Sequence, residues 1–188
     1  MRVFGLSLIL LVLVILSVRW FNPDTPAPSA FMVSRNPVTD YYLRQVSIAT
    51  LGVDGRPERL LQAAEIRHFA NDLGTQLHQP ILTLYPTSGP PWRMVADSGW
   101  LDETGDTLSL SDRVQLSRAA STMTAPMQLQ TEALQMQLPH RYLETSRPVQ
   151  ISSGWQQLQA IGMRAWLQAP VKIEFLREVE GIYVPKNH

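Results

Sequence analysis

Apolar and polar residues alternate along the middle of this chain, from Trp92 to Arg118 (WRMVADSGWLDETGDTLSLSDRVQLSR). An acidic turn at residues 102–106 interrupts the alternation. The apolar positions on its two sides are Trp92, Met94 and Ala96, then Leu108, Leu110, Val114 and Leu116. A period of two over short runs, broken by Gly, Asp and Ser, is typical of antiparallel strands that bury one face. The pattern predicts a strand-turn-strand unit.

This unit recurs in the same order on both sides. Similar pairs of short apolar runs occupy residues 64–84, 99–116, 131–151 and 160–173. Their spacing of roughly 30 to 35 residues is typical of stacked repeats. One hairpin buries only one face, so each unit has to lie against its neighbours. The alternative is that any all-β chain contains such echoes by chance.

The remainder of the folded part divides into further predicted strands. Leu60–Phe69 contains good helix formers, but it occupies a strand position of the repeat, so we predict a strand. Gln76–Tyr85 is predicted as one strand, in which Pro80 requires an edge or a bulge. Val171–Phe175 has the cleanest alternation and leads to an end near Tyr183. We therefore predict an all-β fold.

The N-terminus is a different kind of segment. Val3–Val18 is uninterrupted and apolar. A helix continued through Phe21 would measure about 28 Å, close to the roughly 30 Å hydrocarbon core. Prolines at 23, 26 and 28 and the bulky residues after the run disfavour the alternative, a cleaved signal peptide. We predict four parts: a transmembrane anchor over 1–21, a Pro-rich stalk over 22–36, a β-domain over 37–185 and a frayed tail over 186–188.

Composition narrows the function classes. The chain has 16 Lys and Arg against 16 Asp and Glu, so no basic footprint for nucleic acid is expected. Cysteine is absent, which excludes disulfides, thiolate catalysis and zinc-thiolate sites. The four histidines are scattered, and the sequence has no HExxH, GxSxG or phosphate-loop motif. We expect no metal, no cofactor and no enzymatic activity.

Two residue groups could still suggest chemistry. The carboxylates of residues 97–112 could form a glycosidase pair or a calcium loop, but they lie in and around turns and lack EF-hand spacing. Four tryptophans could form a carbohydrate platform, but their place within alternating strands favours packing: Trp92, Trp100, Trp155 and Trp166. The many inward apolar residues either form a closed core or line an open groove. An open groove would bind acyl chains, since each buried methylene contributes about 0.8 kcal/mol.

Several motifs stand in a characteristic order behind the predicted anchor: QPILTLY, WRMVADSG, an L-x-L-x-x-x-V-x-L run, TEALQM, PVQISSG and a terminal VEGIY. Their order and spacing resemble the LptC family of Gram-negative lipopolysaccharide export. The resemblance covers nearly the whole chain. It implies an open antiparallel β-jelly-roll, a bent trough of stacked hairpins in the periplasm, with the N-terminal helix in the inner membrane.

The resemblance also implies partners and sites. Lipopolysaccharide would come from the transporter of LptB, LptF and LptG, at the N-terminal edge and membrane helix, and pass to LptA at the C-terminal edge. Family substrate contacts map onto Leu77, Ile173 and Tyr183. With them we predict as lipid-binding the apolar residues of the alternating strands: Ile81, Met94, Leu110, Leu116, Leu134, Met136 and Ile151. The predicted partner-binding residues are Val171, Ile173, Phe175 and Tyr183.

Two competing functions remain open from the sequence. The first is a membrane-tethered scaffold whose closed core binds only proteins. The second is a periplasmic hydrolase that uses the acidic turn.

Overall fold

The structure is a computed structural model that describes residues 39–183, apart from 71, 72, 123 and 155 and the side chains of 182 and 183. The described chain forms eleven strands and no helix. They are β1 (Thr39–Leu51), β2 (Pro57–Phe69), β3 (Gly74–His78), β4 (Ile81–Leu84), β5 (Trp92–Val95), β6 (Ser98–Leu101), β7 (Thr107–Arg118), β8 (Met127–Gln137), β9 (Tyr142–Ser153), β10 (Gln156–Trp166) and β11 (Lys172–Tyr183).

All pairings are antiparallel and belong to one sheet. From β11 the order runs through β10, β9, β8 and β7, and then reaches the four short strands, β2 and β1. From β7 to β11, each strand pairs with the next one along the chain. Within the described residues, strands β1 and β11 each pair on one side only, so this part of the chain forms a sheet with two open edges. The predicted all-β antiparallel fold is confirmed, and it is consistent with a β-jelly-roll.

The four short strands behave as two longer, bent strands. One consists of β3 and β4, and the other of β5 and β6. Strands β3 and β4 both pair with β2 in one continuous register, from Phe69 opposite Gly74 to Arg59 opposite Leu84. Strands β5 and β6 continue one another in the same way against β4 and β3. The predicted single strand Gln76–Tyr85 is therefore wrong in one respect, because pairing stops at Gln79 and Pro80. Pro80 has no amide hydrogen to donate, and Gln79 has a φ of 49°.

The interruptions lie side by side and form a line across the sheet. Besides Gln79 and Pro80, the line includes Asp112 and Arg113 in β7, with φ of 62° and 52°, and Gly162 in β10, with φ of 78°. The pairings of β8 with β9 and of β10 with β11 shift register on the same line. We call it the bend line. Bulges increase local bending and twist, so a sheet with one in nearly every strand folds along it.

The bend line divides the sheet into two halves, which we name after their short strands. The β3–β6 half contains β3 and β6, and the β4–β5 half contains β4 and β5. Arg59 of the β4–β5 half and Arg141 of the β3–β6 half line one cleft. Ser153 at the end of β9 shares a cross-strand row with Arg59. Arg141 directly precedes β9, twelve residues before Ser153, which corresponds to about 40 Å of extended chain. The halves therefore fold over and face each other.

The strand predicted for Leu60–Phe69 is confirmed, since β2 covers it. Cross-strand packing outweighs the helix propensity of its residues. The last strand is longer than the clean alternation of Val171–Phe175 indicates, because β11 continues along β10 to Tyr183.

No helix among the described residues is long and apolar enough to cross a membrane. The predicted anchor, stalk and tail fall wholly or largely on residues outside those that the structure describes.

Candidate functional site

The inner face of the sheet is apolar from one open edge to the other. In the β4–β5 half, residues that pair directly across neighbouring strands form one row that crosses the sheet from β1 to β11. The row contains Ile48, Leu61, Leu82, Met94, Leu116, Leu129, Ile151, Leu158 and Gly181. The outer face at the neighbouring position is largely glutamine, with Gln62, Gln115, Gln130, Gln150 and Gln159. The two faces thus differ sharply in polarity.

The β3–β6 half continues the same surface. Its row contains Leu43, Ile66, Leu77, Gly99, Leu110, Leu134, Met163 and Phe175, with Thr145 between Leu134 and Met163. Gly99 is needed for close packing, because a Cβ there would lie 3.1 Å from Pro80 Cγ. Thr145 Oγ1 accepts a hydrogen bond from the backbone N–H of Arg147, which satisfies this buried hydroxyl. The inner face is therefore apolar in both halves.

Burial along these rows is uneven. The central side chains are fully buried, with Met94, Leu129 and Met163 each 0% exposed. At the β1 edge the same rows become accessible, with Leu43 47% and Ile48 46% exposed. The interior is thus filled with side chains at its centre and uncovered at its edge.

Most of the predicted lipid-binding residues lie on this inner face. They are Leu77, Met94, Leu110, Leu116, Leu134, Met136, Ile151 and Ile173. Ile81 lies on the outer face, paired with Gln62 and Val95, while its neighbour Leu82 points inward. The backbone of Tyr183 pairs with Gln156, and its side chain is outside the described set.

The predicted partner-binding residues lie at the β11 edge. Ile173 and Phe175 are partly buried against the core, and Val171 directly before β11 is 39% exposed. The sequence reasoning missed the accessible inner positions of β1, Leu43 and Ile48. Their signal was the imperfect alternation of 41–51, which becomes readable once the pairing with β2 is known.

The acidic turn organises its own backbone. Asp102 Oδ1 accepts hydrogen bonds from the N–H groups of Asp106 at 2.9 Å and Thr107 at 3.0 Å, and Oδ2 accepts one from the Thr104 hydroxyl at 3.0 Å. The bond from the Thr107 backbone is the main cause that lowers the pKa of Asp102 below its usual value. The carboxylate therefore stays ionised as a turn residue.

Other polar groups also have structural partners. Asp97 forms an ion pair with Arg113 at 2.6 Å at the bend line. The Tyr142 hydroxyl donates to Glu144 Oε2 at 2.6 Å, and burial together with this bond raises the pKa of Tyr142. Within the described residues, no three His, Asp or Glu side chains are grouped as they would be around a metal ion.

The described tryptophans pack against protein groups. Trp92 is 2% exposed and lies under Arg118, whose guanidinium carbon is 4.6 Å from the ring centroid. Trp100 stacks on Phe69 at 5.6 Å, and Trp166 packs against Tyr142 at 5.2 Å. Trp155 is outside the described residues. Packing therefore accounts for Trp92 and Trp166, while Trp100 stacks on Phe69 and is still 38% exposed.

The described residues form one antiparallel sheet folded around a continuous apolar face, an all-β architecture consistent with the β-jelly-roll class. The sequence model of one family, described as "Lipopolysaccharide-assembly, LptC-related", matches residues 7–184, nearly the whole chain. The chain belongs to this family. Its members are transport components anchored in the inner membrane and facing the periplasm. No curated protein matches the chain.

Proposed function

We propose that this chain is a single-pass inner-membrane protein whose periplasmic domain binds lipopolysaccharide and transfers it. It takes the lipid from the transporter of LptB, LptF and LptG and passes it to LptA. Residues 1–21 serve as the anchor and 22–36 as the stalk. The family match supports a role in lipopolysaccharide transport, and the inner face supports the apolar part of the path.

The observation that carries this proposal is the continuity of the apolar rows between two open edges. A ligand that is relayed has to enter at one edge and leave at the other. An unpaired edge strand also offers free N–H and C=O groups that a partner strand can pair with. Strand β1 is thus the edge for the transporter and β11 the edge for LptA. Val171, Ile173, Phe175 and Tyr183 belong to the β11 edge.

Acyl chains have to displace or part the buried central side chains. Ten methylenes leaving water contribute on the order of 8 kcal/mol, which can offset a partial separation of the halves. The two halves would separate by rotating about the bend line, because its residues lie outside the regular ladder pairing. Leu77, Met94, Leu110 and Leu116 would then contact the chains, together with Leu134, Met136, Ile151, Ile173 and Tyr183. We leave Ile81 out of this lining because it lies on the outer face.

Site-specific photocrosslinking in cells tests the proposal. The matched pair on β1 is Leu43 on the inner face and Tyr42 on the outer face, which are 47% and 61% exposed. The matched pair on β11 is Ile173 and Lys172. We expect lipopolysaccharide adducts at Leu43 and Ile173 only. Stronger labelling at Tyr42, the more exposed residue, would indicate surface adsorption and contradict an inner path.

The second candidate is a membrane-tethered scaffold that binds only proteins. The observation that favours it is the filled centre, where residues such as Met94 and Leu129 have no exposed surface. A scaffold would give no lipid adduct at either inner position, although it would still co-purify with its protein partners.

A further inference from the structure

We infer that the mouth between the two halves binds the phosphate groups of an anionic amphiphile through Arg59 and Arg141. The inference rests on the proposed lipid binding and extends it, since it names the charged group that is recognised and the residues that recognise it.

The site is a cleft of about 590 Å³ that both halves line. Its size is within the usual range of small-molecule sites. Leu84 comes from the β4–β5 half, and Leu138 and Leu167 come from the β3–β6 half. These three leucines are 2%, 7% and 2% exposed and belong to the core, so the floor of the cleft is continuous with the apolar interior. Acyl chains would reach these buried leucines only with the partial separation of the halves proposed above, while the polar head group would stay in the cleft.

The two arginines lie at strand ends, Arg59 near the start of β2 and Arg141 directly before β9. Arg59 is two residues before Leu61 and pairs with Leu84, and Arg141 is two residues before Leu143. Arg59 Nε donates to Thr50 Oγ1 at 3.0 Å, which fixes the side chain and leaves its terminal amino groups without a partner among the described residues. Arg141 has neither a side-chain hydrogen bond nor an ion pair within that part of the chain.

One carboxylate also lines the cleft. Glu58 is exposed and adjacent to Arg59 in β2, so it lies on the outer side of the strand. No ion pair joins it to either arginine in the described structure. By contrast, Arg113 on the outer face has a carboxylate partner. The cleft therefore presents two guanidinium groups whose charge no carboxylate offsets directly.

The backbone of Arg141 determines which variant can test its side chain. Its φ is 48°, in the left-handed region where Gly or Asn is expected, and a non-Gly residue there is uncommon. The turn between β8 and β9 would form more easily with either of those residues. Five other non-glycine residues of the described chain also have positive φ, so this conformation decides which substitution suits position 141 and is not itself evidence for a ligand.

A third arginine, Arg118, is not among the residues that line the cleft. Arg118 pairs with Trp92, which pairs with Leu84, so it lies on the same row as Arg59 and three strands away. Its Nε is buried and has no hydrogen-bond partner in the described structure. Its guanidinium carbon lies 4.6 Å from the centroid of the Trp92 ring, so Arg118 packs against protein and we do not assign it to the phosphate site.

The guanidinium groups and the leucines together indicate the class of ligand. Guanidinium groups bind phosphate through paired N–H donors in fixed geometry, and they do so more strongly than they bind neutral acceptors. A phosphate alone would not use the leucine floor, and a neutral lipid would not use the arginines. An amphiphile that carries phosphate next to its acyl chains uses both.

The test compares lipid A with chemically dephosphorylated lipid A that has the same acyl chains. Binding to the purified full-length chain in detergent is measured by native mass spectrometry. The double variant Arg59→Gln with Arg141→Asn removes both charges, while asparagine suits the left-handed backbone at 141. The matched control is Arg93→Gln, an exposed arginine on the outer face of β5 without an ion pair in the described chain.

We expect the wild-type chain to bind phosphorylated lipid A roughly tenfold or more tightly than the dephosphorylated form, from the strength of charged hydrogen bonds. The double variant should lose this preference, Arg93→Gln should keep it, and Arg59→Lys with Arg141 intact should retain part of it. Thermal melting should show that Arg141→Asn alone is as stable as wild type.

Other outcomes separate the possible failures. Equal wild-type binding of the two lipids would overturn the phosphate site and leave the lipid-binding proposal standing. Binding of neither lipid would overturn both. A preference that survives in the double variant would place the phosphate elsewhere. Competition by inorganic pyrophosphate at the same concentration as lipid A would identify a free-anion site and contradict recognition of an amphiphile.

Discussion

Neighbouring residues 81 and 82 of β4 provide a sharp test of which face of the sheet is buried. Leu82 is 1% exposed and lies in the inner-face row between Leu61 and Met94. Ile81 is partly buried on the outer face. We propose the variants Leu82→Ala and Ile81→Ala, which remove the same number of carbon atoms at adjacent positions of one strand.

The expected effects differ severalfold. Truncation of a buried leucine to alanine costs about 3 kcal/mol, because the transfer free energy is lost and a cavity remains. The ladder bonds of β4 to β2 and β5 hold the backbone in place, so the cavity cannot collapse readily. For Ile81 we expect a loss of about 1 kcal/mol, since the side chain is only partly removed from water.

Urea unfolding of the full-length chain in detergent, followed by tryptophan fluorescence, measures both losses. With a slope of about 2 kcal/mol per molar, the midpoint should fall by about 1.5 M for Leu82→Ala and by about 0.5 M for Ile81→Ala. Equal shifts would mean that the faces are not distinguished as described. A larger shift for Ile81→Ala would mean that the register of β4 is reversed.

Three further outcomes are expected. Asp102→Ala should cost about 1 kcal/mol at neutral pH through its lost turn hydrogen bonds. Because the folded-state pKa of Asp102 is lowered, this contribution is present above the unfolded pKa and disappears as pH falls through the folded value, so the cost should shrink in acid unfolding curves. Ile173→Pro should remove a donor from β11 and weaken co-purification with LptA more than membrane insertion, whereas normal co-purification of a folded variant would place docking elsewhere. The full-length chain should stay in the membrane pellet after carbonate washing, and a soluble form beginning near residue 31 would indicate cleavage instead.

Much of the strand content is readable from local chemistry. The apolar positions of 92–118 that the alternation singles out, from Trp92 to Leu116, are all buried in the structure. The turn at 102–106 also falls where its acidic residues and glycine predict it. Alternation predicts the buried positions and turn residues predict the turn, because both features depend only on residues that are close in sequence.

The position of Ile81 shows where such reasoning stops. Strict alternation from Leu77 would place Ile81 on the inner face of the sheet. The left-handed backbone at Gln79 shifts the alternation by one residue, so Leu82 and Leu84 lie on the inner face instead. The same change occurs in β8, where Leu129 and Thr131 precede Leu134 and Met136 as buried residues. A bulge adds a residue without a strong residue preference, so its position depends on the neighbouring strand.

The sequence alone predicted three things. Alternation and turn residues predicted the all-β domain, the apolar N-terminal run predicted an anchor, and the order of the motifs indicated the family. Three features are visible only in the folded sheet. They are the filled centre, the exposed β1 edge and the cleft that Arg59 and Arg141 both line. Arg59 and Arg141 are 82 residues apart in numbering, and no local pattern relates them. They share a cleft because bulges in successive strands align and fold the two halves together, and that alignment is a property of the pairing between strands.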